Sequence, residues 1–102
     1  MYASIRRYTI PVNSIDDLMK QINQRFSNIV SGTDGFIAYY AIDAGGGQVV
    51  TVGIFETQEA ADASSKLAAQ WVAQNFASRG DHKPHVAAGP VRAHRLPDPP
   101  ID

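Results

Sequence analysis

Residues 35–57 read GFIAYYAIDAGGGQVVTVGIFET: two apolar arms joined by a run of glycines and closed by a threonine suited to starting a helix. In the first arm Phe36, Ala38, Tyr40 and Ile42 fall on one face and Ile37, Tyr39 and Ala41 on the other. In the second, Val49, Thr51, Gly53 and Phe55 alternate with Val50, Val52 and Ile54. A hairpin with one solvated face alternates polar and apolar residues, so arms that are apolar at odd and even positions alike predict a sheet covered on both faces. The connection Ala44-Gly45-Gly46-Gly47 predicts a tight turn with positive φ. It leads from strand to strand and not into a helix N-terminus, which argues against a phosphate loop.

Upstream, residues 2–10 (YASIRRYTI) are rich in β-branched and aromatic residues and stop at Pro11, as a strand does. Arg6 and Arg7 must point to opposite faces, so one of them sits on a covered face and needs a partner there. From Ser14 the period changes. Ile15, Leu18, Met19, Ile22, Phe26, Ile29 and Val30 form one apolar stripe, which predicts a helix capped by Ser14 and stopped by Gly32 at a left-handed position.

Downstream, Thr57 caps a second predicted helix, TQEAADASSKLAAQWVAQNFASRG, stopped by Gly80. Its inner stripe carries Ala60, Ala63, Ser64, Leu67, Ala68, Trp71, Val72, Asn75 and Phe76, among which the amide of Asn75 must find partners. The segment 85–95, HVAAGPVRAHR, predicts a last strand interrupted at Gly89-Pro90, at an edge or a bulge. The domain is expected to span 1–96, with a proline-rich tail over 97–102.

The order is thus βαββαβ: an α+β, ferredoxin-like four-stranded antiparallel sheet of spatial order 4-1-3-2 with both helices on one face. Two helices cover one face only. A second copy packed against the other, a homodimer forming an α/β barrel, is the simplest cover for the apolar side chains left over.

Composition narrows the function classes. The chain has 102 residues, 44% of them hydrophobic and 19% charged, with a net charge of −1 and no cysteine. Disulfides and thiolate chemistry are excluded, no stretch approaches the ~20 apolar residues of a membrane span, and nothing draws the molecule toward nucleic acid or a membrane as a whole. RNA-binding domains of the same element order carry stacking aromatics on the third strand, where this chain has Val50, Val52 and Ile54. His82-Lys83-Pro84-His85, with Asp81 beside them, match no recognised metal-ligand pattern, so no metal is expected. The opening MYASIRRYTI lacks the pattern of a signal peptide, which makes the cytoplasm the expected compartment.

Gly35-Phe36 followed by Tyr39 and Asp43, the strand ending Val52-Gly53-Ile54-Phe55-Glu56, the helix with Ala60, Ser64, Ala68 and Trp71, and the late Gly89 and Val91 together resemble the antibiotic biosynthesis monooxygenase (ABM) type of dimeric α/β-barrel protein. That resemblance implies the two-fold barrel and either cofactor-free oxygenation of quinols and anthrones or haem degradation. The haem-degrading pattern has an Asn in the first strand and a Trp and a His on the second helix. Here Trp71 alone has a counterpart, so no cofactor is expected.

A cofactor-free oxygenase must hold an electron-rich anion in a dry pocket. Tyr39, Tyr40, Trp71 and Asn75 are the expected ligand-binding residues; no catalytic residue is assigned, and Arg7, Asn75 and His94 are the candidates. The competing expectation is a non-catalytic dimeric barrel that binds a small apolar ligand or serves as an assembly module. A pocket of several hundred Å³ favours the first and a filled core the second.

Overall fold

A computed structural model describes residues 1–76 and 83–99. Strands β1 (Tyr2–Thr9), β2 (Phe36–Gly45), β3 (Gln48–Phe55) and β4 (His85–Pro90) form one sheet of order β2-β3-β1-β4, antiparallel at every junction. This is the order expected from the sequence, read from the other edge. Helix α1 (Ile15–Gln21), a π turn (Ile22–Phe26) and α2 (Ser27–Ser31) follow β1, and α3 (Gln58–Phe76) follows β3. Among the described residues no helix is long and apolar enough to cross a membrane.

The alternation of β1 and β3 decides what faces the helices. Ser4, Arg6 and Tyr8 are buried on β1 while Ile5, Arg7 and Thr9 are exposed, and β3 alternates half-buried with buried residues along its whole length. The core lies between this inner face and the helical stripe Ile15, Leu18, Ile22, Phe26 and Val30, with Trp71 closing it from α3. On the outer face, rows cross the sheet: Tyr40, Val52, Ile5 and Ala87 in one, Ile42, Val50, Arg7 and His85 in the next. Ile5, Tyr40 and Ile42 are 40%, 60% and 46% exposed, so the outer face of the single chain is open and apolar.

Four local readings need correction. The first helix is not continuous: a 3₁₀ turn (Val12–Ser14) leads into α1, and the π turn splits α1 from α2. Ser14 makes no side-chain cap: its backbone already lies in the right-handed helical region (φ −102°, ψ −5°), not the extended geometry of an N-cap. Gly32 ends α2 with ordinary right-handed geometry (φ −85°), and the positive φ falls instead on Gly35 (φ 77°), where the chain enters β2. The last strand stops at Pro90 and does not resume toward Arg95. Residues 91–99 have no secondary structure, although the Val91 N–H still reaches the carbonyl of Met1 at 3.0 Å.

A fifth correction matters most for the site. Strict alternation puts Phe36 on the face of Tyr40, but a bulge at Ile37 shifts the β2–β3 register between Phe36 and Ala38. One extra residue reverses the parity of everything before it. Phe36 therefore packs edge-on against Phe55 in the core (6.2 Å between ring centres) on the same face as Tyr39, and Tyr40 turns outward. The glycine turn follows its prediction, with φ of 83°, 61° and 82° at Gly45, Gly46 and Gly47. Thr57 caps α3 through its hydroxyl, which accepts from the Ala60 N–H at 3.1 Å, while the Gly80 stop lies outside the described residues.

Candidate functional site

Between the inner sheet face and the helices lies a cavity of about 40 Å³. Its floor is Ser4, Arg6 and Tyr8 from β1, Thr51 and Gly53 from β3, and Tyr39 from β2. Its roof is Ile22 and Phe26 of the π turn with Ser64, Ala68, Trp71 and Val72 of α3. The aromatic wall is continuous. The Phe26 ring meets Tyr39 edge-on at 5.6 Å and Trp71 at 5.3 Å and 47°.

Helix geometry explains why the π turn stands here. Leu18, Ile22, Phe26 and Val30 are all buried and four residues apart. At 3.6 residues per turn each such step overshoots by about 40°, and three steps would carry Val30 about 120° off the stripe. The wide turn absorbs most of that drift: Ser27 N–H donates to the carbonyl of Ile22, five residues back. Side-chain donors support the widened segment, Ser27 Oγ bonding Asn23 O at 2.7 Å and Asn28 Nδ2 bonding Gln24 O at 3.0 Å.

Arg6 is the electrostatic centre. It is 7% exposed, and its Nε is buried without a hydrogen-bond partner. Every described carboxylate is exposed, so among the described residues no buried acid offsets this charge. A buried cation without a counter-charge is costly, and a protein holds one where something else completes it.

The neighbouring hydroxyls are neutral. Burial pushes the Tyr8 phenol up, opposed by the charge of Arg6 and a hydrogen bond from it. Burial also pushes Tyr39 up to about 12, with Tyr8 adding to the rise and Thr51 and Arg6 opposing it. Both phenols thus stay protonated at neutral pH and can donate to a ligand oxygen. Ser64 donates to Ala61 O at 2.7 Å, and Ser4 Oγ lies 3.4 Å from Ser65 Oγ. Among the described residues lining the cavity there is no carboxylate and no imidazole.

A second, open groove of about 470 Å³ is bounded by Met19, Lys20, Ile22, Asn23, Ser27, Tyr39 and Ala41. Ile22 and Tyr39 belong to both spaces and separate them.

Of the residues expected from the sequence, Tyr39 and Trp71 line the cavity. Asn75 lies one turn beyond Trp71, half-buried, and its amide donates to Trp71 O at 2.8 Å, which answers its need for a partner within α3 itself. Arg7 and Tyr40 are exposed on the outer face, and His94 is exposed in the segment after β4. The cationic position expected of Arg7 is occupied by Arg6, because side chains of a strand alternate and Tyr8 shares the inner parity with Arg6. Sequence reasoning did not single out Tyr8, Thr51 or Ser4. Tyr8 shares its parity with Arg6 in the sequence, but nothing in the spacing says which parity faces inward. Asp81 and His82 lie outside the described residues; among the described residues no group of three or more metal-ligating side chains comes together.

No family model matches the chain, and no curated protein does. Solved structures do. A protein of unknown function from Nitrosomonas europaea superposes with a TM-score of 0.79 at 16% identity, over 95% of this chain and 94% of that one. The ActVA-Orf6 monooxygenase of Streptomyces coelicolor, in complex with nanaomycin D, gives 0.73 at 13% over 95% and 92%. The heme-degrader MhuD of Mycobacterium tuberculosis, with two hemes in its active site, gives 0.71 at 18% over 94% and 100%. The fold is therefore the ferredoxin-like one of ABM-type proteins, and at these identities the likeness is one of fold. Haem itself does not fit the residues present: α3 has no histidine to ligate iron.

Proposed function

We propose that this chain binds a planar aromatic ligand at the aromatic wall formed by Phe26, Tyr39 and Trp71, and oxidises it as a cofactor-independent monooxygenase working as a homodimer. The observation that carries the reading is the buried, uncompensated Arg6 guanidinium set among neutral phenols. Since no carboxylate or imidazole is among the described residues lining the cavity, the protein's part is electrostatic: a cation in a dry site lowers the pKa of a bound quinol or anthrone, and solvent takes the proton. The resulting anion passes one electron to O₂, the radical pair joins as a C–O bond, and loss of water from the peroxide leaves a carbonyl. For an anthrone methylene the balance is CH₂ + O₂ → C=O + H₂O. Tyr39 and Tyr8 donate hydrogen bonds to the ligand oxygen, and Trp71 and Phe26 hold the ring.

The cavity is too small for a ring as it stands, since about 150 Å³ is the size known to admit a single benzene. Entry is through the neighbouring groove, by displacement of the shared Ile22 and Tyr39 side chains. The dimer supplies the cover for the outer face, where Ile5, Tyr40 and Ile42 are exposed and Val52 and Ile54 half-buried.

The nearly filled core favours a second reading, a non-catalytic barrel that binds a small ligand. Oxygen uptake by the purified protein against a panel of quinols and anthrones, with Trp71 fluorescence titrated in parallel, separates the two. Uptake that needs Arg6 supports the oxygenase. Binding without uptake supports the second reading, and neither signal removes the ligand site.

A further inference from the structure

We infer that the cavity around Arg6 is an anion site: it takes a small monovalent anion of halide size in the free protein and, in a complex, the ionised oxygen of the ligand. Three observations converge on it. The guanidinium is more than nine-tenths buried with an unpartnered Nε, and no described carboxylate is buried with it. The cavity of about 40 Å³ matches one halide or one water, and not a larger group. Its other polar lining among the described residues is the hydroxyls of Ser4, Tyr8, Tyr39, Thr51 and Ser64, groups able to donate hydrogen bonds, with no carboxylate to repel an anion.

A water fills the same space, but it leaves the buried charge uncompensated, whereas a monovalent anion removes that cost. The consequence for ligand class is specific. A ligand of this pocket carries a carboxylate or an acidic phenol or enol that is already ionised near neutral pH, and a neutral ether of the same ring is a poor ligand. This part rests on the reading of the pocket as a small-molecule site; the halide site itself does not.

Trp71 is the chain's single tryptophan and lines the cavity, so it reports directly on occupancy. Bromide or iodide titrated against sulfate at constant ionic strength is expected to quench Trp71 with a saturating curve. Chloride in place of sulfate is expected to raise the thermal midpoint. Arg6→Gln, which keeps a hydrogen-bonding amide but removes the charge, should weaken the halide by about tenfold or more. Arg7→Gln, on the outer face, should leave it unchanged.

Weak, linear quenching in the wild-type protein overturns the site, as does an Arg6→Gln protein that folds and binds halide as well as wild type. Should Arg6→Gln fail to fold, Thr51→Val serves in its place: weaker halide binding supports the site, and unchanged binding overturns it. The ligand class is tested with 2-naphthoate against 2-methoxynaphthalene. Competition with bromide by the naphthoate alone is expected; halide binding without that competition removes the ligand class and leaves the anion site. Neither readout involves oxygen, so failure of the oxygenase reading is seen separately in the uptake assay.

Discussion

Tyr39 shows how much depends on one side chain. It closes the aromatic wall against Phe26, separates cavity from groove, and is held protonated by burial, its pKa raised from 10.0 to about 12. The folded state therefore keeps a proton that the unfolded chain loses. Its contribution to stability is full below pH 10 and is lost as the pH rises from 10 toward about 12. Urea denaturation across that range should show wild-type stability falling more steeply than that of Tyr39→Phe; parallel curves would mean that Tyr39 titrates as in the unfolded chain. Tyr8 is shifted in the same direction, so some slope remains in the variant. Trp71, 8% exposed and packed on Phe26, is a different kind of wall. Trp71→Ala should cost about 3–5 kcal/mol by chemical denaturation. A loss below about 1 kcal/mol would show that the indole lines a space the protein does not need filled.

At the scale of elements, the π turn and the bulge at Ile37 do the positioning. Deleting Gln24, an exposed residue of the π turn, removes the extra residue and lets the segment wind as continuous α-helix. Leu18 and Val30 are then eleven residues apart, which at about 100° each comes within about 20° of three whole turns, so Phe26 and Val30 stay on the stripe. The variant is expected to fold with a urea midpoint close to that of wild type. A loss of about 2–5 kcal/mol, as for a core truncation, would show that the wide turn itself holds these side chains in place. These two elements also mark where the sequence could be read and where it could not. The strand order, the glycine turn, the Thr57 cap and the apolar stripe follow from period and turn chemistry. The π turn was not read: Ile15, Leu18, Ile22, Phe26 and Ile29 fall at three- and four-residue spacing, so the same stripe fits a continuous α-helix. The bulge left no mark either, because Phe36, Ile37 and Ala38 are all apolar and either register buries something apolar. Without that register the choice between Tyr39 and Tyr40 was open, and the choice between Arg6 and Arg7 was equally open, each strand offering one of the two to either face.

For the molecule as a whole, the outer face governs assembly. With Ile5, Tyr40 and Ile42 exposed on a sheet whose neighbouring positions are Val50, Val52 and Ile54, light scattering should return twice the 11.0 kDa chain mass across a dilution series. Val52→Asp should abolish that dimer, and a folded monomer from the wild-type chain at micromolar concentration would show that the apolar face is tolerated in water. The void beside Arg6 has a volumetric consequence that reaches beyond the site. A ligand that settles in this space removes a void of about 40 Å³ that the free protein carries, so the complex occupies less volume than its separated components. Hydrostatic pressure, which favours the smaller state, should then strengthen the binding of bromide and of 2-naphthoate alike. A response for bromide without one for 2-naphthoate would mean that the ring never enters between the layers and lies instead in the groove outside Tyr39.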